Sequence, residues 1–108
     1  MLDIFETVIG CCEQVGPLAA QIGRQDRSLA DQLRRAMASV AMNIAEGAGS
    51  QGGNQRARYF TALGSAREVE AALRVAAAFG YVGGIEEGLA RDLDRIRATL
   101  WRVTHPRR

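Results

Sequence analysis

Apolar residues return at steps of three and four in four separate stretches of the chain, the spacing of helices that each bury one stripe. Over residues 2–22 the stripe is Phe5, Val8, Ile9, Cys12, Val15, Ala19 and Ile22. Gly16 and Pro17 interrupt it and predict a kink near residues 13–16, because proline removes a backbone donor and crowds the preceding turn. A second helix follows a polar turn, with Ser28 placed to cap it, Asp31 in its first turn and Gly47 supplying a left-handed end near residue 46. A third, over residues 55–79, opens after Asn54 and carries Tyr59, Leu63, Ala66, Leu73 and Ala77 on its main face. The fourth begins at Glu86 and Glu87 and has the most regular stripe: Ile85, Leu89, Leu93, Ile96, Leu100 and Val103.

The second helix carries two stripes in register. Beside the apolar line of Leu29, Leu33, Ala36, Met37, Val40 and Ile44 run Gln32, Arg35, Ser39, Asn43 and Glu46, aligned along its edge instead of scattered into solvent. The spacing predicts a partly buried polar network in which Arg35 and Glu46 meet Ser65 and Glu68 of the third helix. The third helix has a second apolar line as well, Ala72, Val75 and Phe79, and Trp101 lies off the core stripe of the fourth. A helix apolar on two sides is buried on two sides, so these four residues are expected at an oligomer interface, with Arg97 stacking on Trp101.

Four helices with short connections and no strand pattern predict one all-α domain over residues 1–108, an antiparallel up-down-up-down four-helix bundle. Its length suffices for a core without staples. Cys11 and Cys12 are adjacent and cannot bridge normally, so they read as core or flank residues in a reducing compartment. The acidic start MLDIFE is unlike a signal peptide, and the longest uncharged runs, such as residues 75–85, are too short to span a membrane, which predicts a cytoplasmic protein.

Net charge is +2, and all fourteen basic residues are arginine. Residues 1–22 are acidic and residues 81–108 basic, so the surface is polarised end to end. The spacing Gly47, Gly49, Gly52 matches a dinucleotide fingerprint only in letters, since a helix precedes it and no strand surrounds it, and a Walker loop lacks its lysine. One histidine assembles neither a catalytic triad nor a histidine metal site. Glu46 with Glu68 or Glu70 forms the nearest thing to a carboxylate pair, and structural ion pairing with Arg35 and Arg67 accounts for those acids better. The reading is a protein without catalytic residues, metal or cofactor.

The run QLRRAMASVAMNIAEGAG, then ALGSAREVEAAL, then FGYV resembles the four-helix-bundle 23S ribosomal RNA intervening-sequence proteins. The matching positions are Gln32, Arg35, Ala36, Ser39, Asn43, Ile44, Ala45, Glu46 and Gly47, followed by Gly64, Ser65 and Glu68. Arg58 and Phe60 depart from the commonest pattern. The resemblance implies a ring, a homopentamer, with no enzyme activity. A similar protein, the accessory factor of diversity-generating retroelements, binds nucleic acid and a reverse transcriptase, so the implied partners are the protein itself, RNA or DNA, and a reverse transcriptase or other protein.

Two patches are expected to touch nucleic acid. Arg56 and Arg58 open the third helix, where the helix dipole disfavours cations unless an anion offsets them, and the glycine-rich segment upstream exposes backbone donors suited to phosphate. The alternative is that both reach acids of the first helix or of a neighbouring subunit. Arg91, Arg95 and Arg102 share the polar side of the fourth helix. Neither patch interleaves aromatics in the sequence, which predicts backbone tracking with steep salt dependence. The competing function is a protein–protein scaffold with no nucleic-acid role.

Overall fold

The computed structural model describes residues 3–107. Four helices follow one another, α1 (Phe5–Gly23), α2 (Arg27–Ala48), α3 (Gly52–Ala78) and α4 (Glu87–Thr104), with no strand among the described residues. Level pairs run in opposite directions along neighbouring helices: Ser39 meets Ser65 and Glu46 meets Arg58 between α2 and α3, while Thr104 meets Arg56 and Arg97 meets Glu70 between α3 and α4. The result is a rod of 44 × 22 × 20 Å. The long axis is about that of α3 alone, whose 27 residues span ~40 Å at 1.5 Å each. Of the neighbouring pairs around the bundle, α2 and α3 pack together most extensively and α1 and α4 least.

The core is one cluster drawn from all four helices. In α1 it is lined by Val8, Cys11, Val15, Ala19 and Ile22, with Ile4 at the N-cap, so the buried face is turned relative to the expected one and Phe5, Ile9 and Cys12 flank it. Pro17 lies inside α1 on its exposed side, and the helix continues through it. In α4 the stripe closes on Thr104, fully buried, and not on Val103, which is 36% exposed. Leu100 to Thr104 is a full step of four, and the threonine hydroxyl is satisfied inside its own helix by the Leu100 carbonyl at 2.7 Å.

Several helix ends differ from expectation. Asp26, not Ser28, caps α2, its carboxylate accepting from the Leu29 amide at 2.9 Å, which leaves Asp31 beyond the first turn. α2 continues past residue 46 to Ala48, and Gly47 is helical and buried. The connection to α3 is only residues 49–51, and Asn54 lies inside α3, which starts at Gly52 after an N-cap, Gln51, that offers no side-chain bond. Carbonyls at the end of α2 are met locally: the Ser50 hydroxyl donates to Glu46, and the Gln55 amide donates to Gly47 and Ser50. At the far end of α3, Gly80 at φ 78° closes a Schellman turn in which Tyr81 donates to Ala76 and Gly80 to Ala77. α4 starts with Glu86 capping the Gly88 amide at 2.9 Å.

Candidate functional site

The polar stripe of α2 divides into two parts. Ser39 and Ser65 share a hydrogen bond of 2.7 Å across the helix pair, and the Asn43 amide donates to the Ser39 hydroxyl at 3.1 Å and to its carbonyl at 2.9 Å. Nearer the end of α2, Glu46 pairs with Arg58 at 2.7 Å, while the same guanidinium approaches the Asn43 side-chain oxygen at 3.5 Å. The expected meeting of Arg35 and Glu46 with Glu68 does not form. The antiparallel register puts Glu46 level with Arg58, nearly three turns from Glu68. Arg35 is exposed and makes no ion pair among the described residues. It nevertheless shares a groove of about 440 Å³ with Gln32, Ala36, Ser39, Ser65 and Glu68.

Arg56 and Arg58, the expected phosphate ligands, are both engaged within the chain. Arg56 Nε donates to the Thr104 carbonyl at 3.1 Å, which ties the start of α3 to the end of α4, and its guanidinium lies 5.5 Å from the centre of the Phe60 ring. Arg58 is held by Glu46 with half of its side chain still exposed. The acceptors that offset two cations at a helix start are thus a carboxylate of α2 and a terminal carbonyl of α4. The expected donor-rich segment is mostly taken up by the extended helices, though Ser50, Asn54, Ala57, Arg58 and Thr61 line an open recess there.

On α4, Arg91 and Arg95 are exposed and make no ion pair among the described residues, and Arg102 reaches only the Thr99 hydroxyl, at 3.4 Å. Arg97 is different. It pairs with Glu70 at 3.2 Å and with Asp94, and its Nε is buried without an acceptor, so it is fixed and does not stack on Trp101. The Trp101 partner is His105, whose ring lies parallel to the indole at 4.3 Å and 8° and meets Phe60 edge-on at 5.3 Å and 70°. Aromatic rings therefore do stand beside the basic residues, contrary to expectation. Sequence spacing missed the group because His105 follows the last helical residue and Phe60 belongs to another helix. Leu63, Arg67, Asp94, Arg95, Arg97, Ala98 and Trp101 line a groove of about 490 Å³ between α3 and α4.

The outward face of α3 carries a line of small apolar residues, interrupted midway by the exposed Arg67 and Glu68. Ala57, Gly64, Ala71 and Ala78 recur at steps of seven along it, all exposed, with Phe60, Val75 and Phe79 alongside. Phe79 is 66% exposed, and a side chain added at Gly64 would meet nothing. Ala72, expected on this line, is buried within the chain itself and belongs to the core edge.

Cys11 is fully buried, and burial pushes its thiol up to about 11, with the negative charges of Asp92 and Cys12 adding to the effect. Burial raises Cys12 as well, so neither is an activated nucleophile. No His/Cys/Asp/Glu group among the described residues is arranged to hold a metal, and no helix is long and apolar enough to cross a membrane.

The model of the family described as 23S rRNA-intervening sequence protein matches residues 2–102. The fold is similar to the crystal structure of a protein of unknown function from the S23 ribosomal protein family of Bacteroides thetaiotaomicron, with a TM-score of 0.80 at 18% identity over 94% of this chain and 97% of that one. No match was found among curated proteins.

Proposed function

We propose, starting from the fact that this chain belongs to the 23S rRNA-intervening sequence protein family, that it is a non-catalytic, ring-forming accessory protein of the cytoplasm that binds nucleic acid through its arginine-rich surface. The observation that carries this reading is the exposed face of α4, where Arg91, Arg95 and Arg102 stand without a carboxylate partner among the described residues. Arginines left unneutralised along one face are the electrostatic footprint of a polyanion partner. They span ~16 Å of helix axis at 1.5 Å per residue. Arg56 and Arg58 continue the basic surface at the start of α3. The exposed apolar face of α3 supports assembly with further copies through Val75 and Phe79, with Ala72 at its margin, in the homopentamer that the resemblance implies.

The test is to titrate RNA and DNA against wild type, an R91A/R95A/R102A variant and an R56A/R58A variant over a range of salt. Each lost phosphate contact should flatten the salt dependence by about 0.9 in log–log slope for duplex DNA and about 0.7 for single strands. An unchanged slope in both variants removes these sites. A wild type that binds nothing at low salt turns the choice to a protein–protein scaffold, the reading that the apolar α3 face would then support alone. In that case the partner to recover is a copurifying polypeptide, a reverse transcriptase among the candidates.

A further inference from the structure

Three features of the α3–α4 groove fit one ligand. The first is a flat platform. His105 is stacked on Trp101 and cannot swing freely, because its Nδ1 is within hydrogen-bond distance of the Trp101 carbonyl at 3.0 Å and the Thr104 hydroxyl at 3.1 Å, while Phe60 braces its edge. The indole is 49% exposed and forms part of the groove wall. A large aromatic held open to solvent is a surface on which another planar ring can stack.

The second is charge. Of the groove's three arginines, Arg97 is paired with Glu70 and Asp94, whereas Arg67 and Arg95 have no carboxylate partner among the described residues. The groove thus combines an open indole with two guanidinium groups lacking anions. The third is size. About 490 Å³ lies within the range of pockets that hold a small ligand and suits one nucleotide unit.

We infer that this groove takes an unpaired base of single-stranded nucleic acid, stacked on Trp101, with the adjoining phosphates on Arg67 and Arg95. A duplex buries the faces of its bases in its own stack, so only an unstacked base can use such a platform. The inference rests on the nucleic-acid reading and sharpens it, from backbone tracking on any polyanion to a preference for single strands. It also assigns Trp101 to a ligand and not to a subunit contact. Trp101 stands at the end of the rod where α3 begins, whereas Val75 and Phe79 lie at the other end of α3.

Trp101 is the sole tryptophan, so its fluorescence reports this groove alone. Titration of the full chain with oligo(U) and oligo(dT) single strands should quench it, and inorganic phosphate or a duplex of equal length should not. W101A should weaken single-strand binding by about fivefold to a hundredfold, the range for one lost stacking contact. It should leave duplex binding and the light-scattering mass unchanged. R67A/R95A, which removes only exposed side chains, should weaken single-strand binding while the circular dichroism stays that of wild type. Wild type binding single strands without quenching, and W101A binding them as well, overturns the slot and leaves the wider nucleic-acid reading standing. A W101A protein of lower mass overturns it too, by returning Trp101 to an interface between copies. No binding of any nucleic acid by wild type defeats both readings together.

Discussion

The ring of Tyr59 lies against the backbone of Gly47, so that a side chain added at position 47 would stand 2.8 Å from Tyr59 Cδ1 and 3.1 Å from Cζ. Both residues are buried, and the contact joins α2 to α3 near their connection. Alanine at position 47 gains about 1 kcal/mol of helix propensity over glycine. Overpacking of a buried site costs about 1–3 kcal/mol. G47A should therefore lower the melting temperature, and Y59L should make the same substitution nearly harmless. Additive effects in that double-mutant cycle would show that the ring does not set the requirement for glycine.

The polar stripe gives a graded series. S65A removes the partner of Ser39 at a nearly buried position and should cost about 1 kcal/mol. R58A breaks a half-exposed ion pair and should cost less than about 1 kcal/mol. R35A should be close to neutral in chemical denaturation, in contrast to the cost of a buried pair that spacing alone suggests. A larger loss in R35A than in S65A would mean that Arg35 is covered in the assembled protein.

Stability should depend on pH through Cys11. Its folded thiol is raised from 9.0 to about 11, so the folded state holds its proton more tightly than the unfolded state does. The contribution is complete below pH ~9 and is lost as pH rises through the folded value. Urea midpoints measured up to pH 11 should fall, and C11A, itself somewhat destabilised, should fall less steeply. At neutral pH iodoacetamide should label Cys12 slowly and Cys11 only after unfolding.

Assembly should depend on the end of α3. V75E and F79E each place a charge on an exposed apolar residue, so the monomer should fold with wild-type circular dichroism. Their light-scattering mass should fall to that of one chain. Unchanged mass in the double variant would move the subunit contact elsewhere on the rod.

The arrangement of four helices and most of the core were legible because each helix buries a stripe, and periodicity reports burial directly. α4 shows this from Leu89 to Leu100. Helix ends were less legible. Asp26 and Ser28 are both competent caps, and the extended backbone at Asp26 decides between them. The polar stripe was visible as spacing, with Ser39 and Ser65 among its members, but partners depend on how α2 and α3 register, which no single helix encodes. That register gives Glu46 to Arg58 and leaves Arg35 alone. The aromatic group of Trp101, His105 and Phe60 was hidden for a related reason: its members come from a helix, the residue just beyond it and a neighbouring helix.

The close fit of α2 to α3 across a three-residue connection also bears on the order in which the protein forms. Closing so short a connection forfeits little chain entropy, so this hairpin is suited to appear first and give α1 and α4 a surface on which to settle. On a slower clock the same asymmetry should appear in deuterium uptake. Amides along α2 and α3 should stay protected longest, while α1 and α4, which brace each other least, release theirs in openings smaller than global unfolding.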